Sequence, residues 1–255
     1  MCTVIVLRRP EEAWPLLLAA NRDEIPSRPW EPPGRHWPDR SDVVAGYDCL
    51  GGGSWLGVND MGVVAAVLNR SGSLGPTPDR RSRGELVLEA LDHAEAGAAA
   101  RALCDLFPGG YRSFNLVVAD ARDAFWLRHT DEEEAPIEMA EIPLGLSIIT
   151  DFDRNDSTCP RIRDYLPLFA AAPAPVPKND DWVAWETLLA GRSLDPENDA
   201  EAAMMLRSKD GISTLSSSII ALPVPRIPPP KPLWRFAPGP PDTTPFATVD
   251  MEAGG

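Results

Sequence analysis

Of the residues in this chain, the cysteine at position 2 is the one best suited by type and position to act as a nucleophile. The chain begins Met1-Cys2-Thr3, and cysteine is small enough to follow an initiator methionine that is removed. A terminal cysteine would carry a thiol nucleophile and also a base, because its own α-amine, with a pKa near ~8, can take the thiol proton. The alternative is structural, since a small hydrophobic thiol is also a common start to a buried strand.

The residues after Cys2 predict how it is positioned. The β-branched run from Thr3 to Leu7 indicates a strand, and Leu16 to Ala20 indicates a second strand after a polar turn. Two antiparallel strands of similar length bring the first residue of one beside the last residue of the other. We therefore expect Cys2 to lie near the tetrapeptide Asn21-Arg22-Asp23-Glu24.

Two proline-rich segments interrupt the predicted strands. Residues 25–42 hold five prolines together with Trp30, His36 and Trp37, which indicates an ordered, irregular flap. The aromatic side chains of this flap are expected to pack as core rather than to act as a lid. A second proline-rich segment, 223–232, predicts a turn before the last strands.

The remaining pattern predicts an α+β domain. The run from Leu56 to Asn69 reads as a hairpin around an Asn-Asp-Met-Gly turn, and the Ser-x-x-Glu box at Ser82 predicts a helix with a break near Gly97. Further helices are expected from Pro160, over 181–189 and over 199–207, and further strands over 114–119, 124–128, 138–142, 144–150, 213–222, 233–236 and 246–249. Helices in blocks between antiparallel strands indicate helical layers on the outer faces of packed sheets, in one domain spanning 1–255.

Composition excludes several classes of function. A formal net charge of −14 in 255 residues argues against nucleic-acid and anionic-membrane partners, which attract basic surfaces. The four scattered cysteines show no CxxC spacing, and the acidic run 131–134 is interpreted as a loop tip, so no metal site is predicted. No segment is long and apolar enough to span a membrane and no targeting segment is visible, so a cytoplasmic location is expected.

Several motifs together resemble one known family. Met1-Cys2-Thr3, Ala20-Asn21-Arg22-Asp23-Glu24, Leu68-Asn69-Arg70, Ser82-Arg83-Gly84 and Phe114-Asn115-Leu116-Val117 resemble the NRDE family, also called the transport and Golgi organization 2 family. The resemblance covers nearly the whole chain. This family is similar to the N-terminal nucleophile (Ntn) hydrolases of the penicillin V acylase and bile-salt hydrolase type, which implies a four-layer αββα sandwich and a cysteine exposed by loss of methionine.

The resemblance also implies roles for individual residues. It places the nucleophile at Cys2, an amine-orienting carboxylate at Asp23 and an oxyanion-hole amide at Asn69. Further candidates for substrate binding are Asn21, Arg22, Arg70, Thr150 and Thr214. The alternative roles are local: Asn69 as a strand-end cap, and Asp23 as a turn residue or an ion-pair partner of Arg22.

The chain departs from the acylase pattern at three points. The position of the arginine expected three residues before the aspartate holds Ala20, and a hydroxyl-rich run around Leu215 replaces a late arginine. The second asparagine expected in the middle of the chain has no clear counterpart, since the run 150–155 offers both Thr150 and Asn155. Two classes of function therefore remain. The first is an N-terminal cysteine amidohydrolase acting on a small amide or acyl ligand, without a cofactor.

The second class is a non-catalytic binding or trafficking protein on the same scaffold, because relatives in this family are linked to the handling of haem or lipids. In that class Cys2 or His36 could ligate a haem.

Overall fold

The computed structural model describes residues 2–130, 135–192, 202–207, 211–226 and 231–252. The predicted loop tip 131–134 lies outside these residues, as do the first part of the predicted helix over 199–207 and residues 227–230 of the predicted proline-rich turn. The contacts of the chain form two compact units. The first unit comprises Met1–Ser27, Leu144–Ala221 and Leu233–Val249, and the second comprises Arg28–Pro143, Leu222–Pro232 and Asp250–Gly255.

The first unit is built on a six-stranded sheet with the strand order β10-β1-β2-β11-β12-β13. Its strands are β1 (Thr3–Arg8), β2 (Leu16–Glu24), β10 (Gly145–Ile149), β11 (Ser213–Leu222), β12 (Leu233–Ala237) and β13 (Ala247–Thr248). Strand β1 lies between β10 and β2 and is antiparallel to both. Its helices are α3 (Pro160–Ala171) and α4 (Val183–Leu189).

The helices of the first unit cover the sheet face formed by alternate strand residues. Ile5 of β1, Leu17 and Ala19 of β2 and Ile219 of β11 pack with Tyr165, Phe169 and Trp185 of the two helices in one buried cluster. Because side chains of a strand alternate between its two faces, Asn21 and Asp23 follow Leu17 and Ala19 onto this helix-covered face.

The second unit is a seven-stranded antiparallel meander in sequence order. Its strands are β3 (Trp30–Gly34), β4 (Val43–Asp48), β5 (Leu56–Asn59), β6 (Val64–Asn69), β7 (Phe114–Ala119), β8 (Ala124–His129) and β9 (Glu138–Glu141). The helices α1 (Gly84–Leu91) and α2 (Ala96–Cys104) pack on one face of it through leucine, valine and alanine side chains. Each unit thus combines a sheet with helices on one face, and the predicted α+β class is confirmed.

Several predicted elements need correction. The flap over 25–42 is not wholly irregular, because Trp30–Gly34 forms edge strand β3, where prolines are tolerated since no ladder hydrogen bond is needed on the outer side. The helix break predicted near Gly97 falls between Leu91 and Ala96. At the start of α1, Ser82 Oγ accepts a hydrogen bond of 3.2 Å from the Gly84 backbone nitrogen instead of the Glu85 nitrogen that a capping box uses. The part of the predicted helix over 199–207 that the structure describes, Ala202–Arg207, contains a single helical residue.

The aromatic residues of the flap pack, as predicted. Trp30 meets Trp55 edge-on with ring centroids 5.7 Å apart, and Trp37 packs against the helix-side core. Among the described residues, no helix is both long and apolar enough to cross a membrane.

Candidate active site

The predicted proximity of Cys2 to the end of β2 is confirmed. The β1–β2 register pairs Thr3 with Asn21, and β2 continues beyond the predicted end at Ala20 as far as Glu24. The Cys2 Sγ lies 3.4 Å from both the backbone nitrogen and the backbone oxygen of Asp23. The main chain of the predicted site aspartate therefore holds the thiol at the start of β1, an interior strand of the first unit's sheet.

The Asp23 carboxylate is held by two side chains on the helix-covered face. Its Oδ1 accepts a hydrogen bond of 2.6 Å from Thr214 Oγ1, and its Oδ2 accepts one of 3.1 Å from Arg161 Nη1. The Asp23 and Arg161 side chains are both 0% exposed. An ion pair fully removed from water is retained only when its geometry and hydrogen bonds are good, so this aspartate is rigidly placed.

Arg161 is a site residue that the sequence analysis missed. It is the second residue of α3, and its Nη1 also donates to Thr3 Oγ1 at 2.8 Å, which joins the helix to β1 next to Cys2. Its position carried a signal: Arg161 lies four residues before Tyr165, within the apolar stripe of the helix. An arginine in a core-facing stripe indicates a buried partner.

Thr214, one of the predicted binding residues, lies within this group of side chains. Besides donating to Asp23, its hydroxyl accepts a hydrogen bond of 2.9 Å from the Leu206 backbone nitrogen. The hydroxyl is thereby oriented, with its proton directed to the carboxylate.

Asn21 is an anchor between elements of the first unit. Its Nδ2 donates to the backbone oxygens of Leu189 and Met204, both at 2.9 Å, and its Oδ1 accepts from Ser217 Oγ at 2.5 Å. These three bonds hold β2 against the end of α4, against the segment that contains Met204, and against β11. Arg22, predicted with Asn21 as a binding residue, points to the opposite face of the sheet by strand alternation and is also buried.

Thr150 and Asn155, the two residues considered for the second asparagine, both make contacts that stabilise the loop after β10. The Thr150 hydroxyl lies 3.6 Å from the Cys159 thiol and accepts a hydrogen bond from the Phe152 backbone. Asn155 adopts a left-handed backbone with φ 55° and accepts a hydrogen bond of 2.7 Å from the Ile148 backbone nitrogen. Both arrangements fix the path of the chain from β10 to α3, which carries Arg161.

The environment of Cys2 favours the protonated thiol. Burial raises the pKa of the Cys2 thiol, and the negative charge of Asp23 raises it further, whereas positive charge at the chain terminus and on Arg22 lowers it. The resting group is thus a thiol, and nucleophilic attack needs a base that removes its proton.

The other predicted site residues lie in the second unit. Asn69 is the last residue of β6, is partly exposed and pairs with Phe114 of β7. Its side chain makes no hydrogen bond to another residue that the structure describes. Arg70 donates from Nη1 to Asn115 Oδ1 at 2.8 Å, and this fully buried asparagine also accepts from Trp126.

The comparisons with known proteins decide the family. The family described as Transport and Golgi organisation 2 matches residues 1–172. The chain belongs to this family. The matched range contains Cys2, Asp23, Asn69 and Arg161, whereas Thr214 lies beyond it.

The chain is similar in sequence to mammalian members of the family. The Transport and Golgi organization 2 homolog of Mus musculus is 34% identical over 115 residues, which are 43% of this chain and 40% of that protein. The homolog of Homo sapiens is 34% identical over 119 residues, 45% of this chain and 42% of that protein. The chain thus matches less than half the length of these two relatives.

Solved structures show the fold of this family member. Penicillin V acylase from Agrobacterium tumefaciens superposes with a TM-score of 0.54 at 15% identity, over 98% of this chain and 86% of that one. A variant of the conjugated bile acid hydrolase from Clostridium perfringens superposes with a TM-score of 0.56 at 13% identity, over 100% of this chain and 94% of that one. The N-acylethanolamine-hydrolyzing acid amidase ortholog from Caenorhabditis elegans superposes with a TM-score of 0.54 at 12% identity, over 86% of this chain and 92% of that one. The predicted Ntn-hydrolase-like fold is confirmed.

Haem ligation by His36 does not fit the contacts of its ring. In the second unit, His36 Nε2 lies 2.8 Å from the Pro32 backbone oxygen, Nδ1 lies 3.6 Å from Glu31, and the ring stacks on Tyr47. Both ring nitrogens thus face other groups of the protein instead of a position that an iron could take. Within the described ranges, no three His, Cys, Asp or Glu side chains group as metal ligands.

Proposed function

We propose that this protein is an N-terminal cysteine amidohydrolase that acts on a small amide after Met1 is removed. The observation that carries the proposal is the position of the Cys2 thiol, 3.4 Å from the main chain of Asp23, whose carboxylate is fixed by Arg161 and Thr214. Covalent catalysis by a thiol needs an adjacent base, and in this proposal the Cys2 α-amine is that base and the Asp23 carboxylate orients it.

The proposed reaction has two half-reactions. The α-amine of Cys2 takes the thiol proton, the sulfur attacks the amide carbonyl, and the resulting ammonium returns a proton to the departing amine. Water then attacks the thioester, the carboxylic acid leaves, and the Cys2 thiol is restored. Asp23 orients the amine through both steps. A hydrogen-bond donor to the oxyanion, the role that the family resemblance implies for Asn69, typically contributes about 3 kcal/mol.

The comparisons support the proposed reaction class by analogy of fold. The three structural neighbours are named as an acylase, a hydrolase of conjugated bile acids and an N-acylethanolamine-hydrolyzing amidase. One fold hosts many functions, so these names suggest amides with an acyl group as the substrates to try first. In the proposed reaction, Arg161 supplies the positive charge that the acylase pattern places where this chain has Ala20.

One observation favours the alternative, a non-catalytic binding protein. Burial raises the pKa of the Cys2 thiol, so the thiolate is scarce unless a base is close. A ligand-binding protein that handles lipid or acyl groups needs no such base. The two functions differ in whether the Cys2 thiol is acylated by a substrate and then restored by water.

A panel of acyl amides distinguishes the two functions. We expect the wild-type chain to hydrolyse at least one penicillin V, bile-acid or N-acylethanolamine substrate, and the Cys2→Ala variant to lose that activity. The matched control is Cys49→Ala, because Cys49 is a free and exposed thiol of the second unit. Equal activity in wild type and Cys2→Ala, or saturable binding of these amides without turnover, would contradict the proposal.

A further inference from the structure

The pairing of β1 with β10 relates the position of Asp151 to that of Cys2. Strands β1 and β10 pair antiparallel, with Val4 opposite Ile149 as the last pair. Strand β10 ends at Ile149, and an extrapolation of this register by two residues would bring Asp151 to the level of Cys2, on the side of β1 away from Asp23. Residues at the same level of neighbouring antiparallel strands have their Cα atoms about 5 Å apart.

The Asp151 carboxylate is buried and incompletely satisfied. The residue is 5% exposed, and its Oδ1 has no hydrogen-bond partner in the part of the chain that the structure describes. A buried carboxylate oxygen without a partner costs stability, so native proteins keep such a group where a ligand, ion or functional partner occupies it.

The charges around Asp151 favour a cationic partner at this place. Burial raises the pKa of the Asp151 carboxyl, while a hydrogen bond from its own backbone, positive charge at the chain terminus and on Arg161, and a hydrogen bond from Thr150 lower it. Arg161 approaches from α3, yet its Nη1 is already bonded to Asp23 and Thr3. The neighbouring elements also carry other charged residues, which are Arg8 on β1, Arg22, Asp23 and Glu24 on β2, Arg163 and Asp164 on α3, and Asp153, Arg154 and Asp156 on the same loop.

We propose that Asp151 is a positioning residue for the nucleophile: its Oδ1 accepts a hydrogen bond from the α-ammonium group that removal of Met1 creates on Cys2. This inference rests on the proposed function, because it requires a free amine on Cys2. The amine then lies between two acids, with Asp23 on the β2 side and Asp151 on the β10 side.

The proposed contact has a definite chemical effect. When the amine takes the thiol proton, a neutral amine and a thiol become an ammonium and a thiolate, with no net change of charge. A carboxylate beside the nitrogen stabilises the ammonium and so makes the amine a stronger base. Asp151 would therefore offset the raised pKa of the buried thiol.

The pKa of the Cys2 amine tests this inference. The full chain is produced from a fusion cleaved directly before Cys2, so that the sample does not depend on methionine removal in the cell. With ¹⁵N-labelled cysteine, the amine is titrated by NMR in wild type, in Asp151→Asn and in the control Asp156→Asn. Asp156 belongs to the same loop and is hydrogen-bonded to Thr158 at the surface.

We expect the amine pKa to fall by about one unit or more in Asp151→Asn, since an opposite charge within hydrogen-bonding distance shifts a pKa by that amount. The control should leave it unchanged. If Asp151→Asn does not fold, the wild-type Asp151 ¹³Cγ resonance should show a second inflection at the amine pKa.

An unchanged amine pKa in Asp151→Asn, or a single inflection in the Asp151 titration, would overturn the inference. Neither measurement involves substrate, so their failure is distinguishable from a failure of the proposed hydrolysis.

Discussion

The Cys2 thiol is a group whose reactivity depends on its protonation. Burial and the charge of Asp23 both raise its pKa, so a chain in which Cys2 has no free amine should hold an unreactive thiol at neutral pH. A terminal amine changes this balance because it supplies a base next to the sulfur. The same residue is therefore inert or nucleophilic depending on whether Met1 is present.

Alkylation of Cys2 as a function of pH measures this balance. In a form extended before Met1, we expect the half-maximal rate with iodoacetamide at a higher pH than for a free-cysteine peptide, because only the thiolate reacts and its pKa is raised. Asp23→Asn should move the midpoint to lower pH by removing a negative charge, whereas the control Glu24→Gln should not. A Cys2 midpoint at or below that of the peptide would contradict the electrostatic account.

At the scale of elements, strand β2 and helix α3 build the site together. Alternation along β2 directs Asp23 towards the helices, and the first turn of α3 directs Arg161 back towards the sheet. The buried ion pair is thus also the link that fixes α3 on the sheet beside Cys2.

Removing Arg161 should therefore cost more than removing a surface arginine of the same helix. Arg161→Met leaves the Asp23 carboxylate buried without its cation, and we expect the free energy of unfolding to fall by about 3–5 kcal/mol in urea titrations. Arg163, whose side chain is 59% exposed, is the control, and Arg163→Met should change it by about 0.5 kcal/mol at most. Adding Asp23→Asn to Arg161→Met should recover part of the loss, because the unpaired charge is then removed. Equal stability of the two single variants would refute the structural role of the pair.

The features of the fold that depend on residues close together in the sequence could be predicted from it. The hairpin of β1 and β2 follows from two β-branched or apolar runs around a polar turn, and this local pattern places Cys2 beside Asp23. The Asp23–Arg161 pair joins residues 138 positions apart. Such a contact depends on how α3 packs, which periodicity does not specify, although an arginine within an apolar stripe indicated that some buried partner exists.

Element boundaries failed where tertiary contacts override local preference. The predicted end of β2 at Ala20 followed the change from apolar to polar residues, but Asn21, Arg22 and Asp23 remain in the strand because their polar groups find partners in the interior. Likewise, the prolines of 25–42 favoured an irregular segment, yet an edge strand accommodates them.

At the scale of the whole molecule, a match in sequence shows the family, whereas likeness to solved structures shows the fold. The family match covers residues 1–172, and the fold likeness extends over 86–100% of the chain in three hydrolase structures at 12–15% identity. A likeness at this level of identity shows the fold alone, so catalysis must be tested in this chain itself. The single-domain organisation over 1–255 and the joint action of Cys2 with Asn69 stay predictions.

The role of Cys2 is tested most directly by the intact mass of the protein before and after reaction with an activated acyl donor, such as a p-nitrophenyl ester. We predict that the untreated chain lacks Met1 and begins with Cys2. After treatment, we predict one acyl group per chain, which peptide mapping places on Cys2 and which is absent in Cys2→Ala. A chain that retains Met1, or acylation that persists in Cys2→Ala, would contradict the claim that Cys2 is an N-terminal nucleophile.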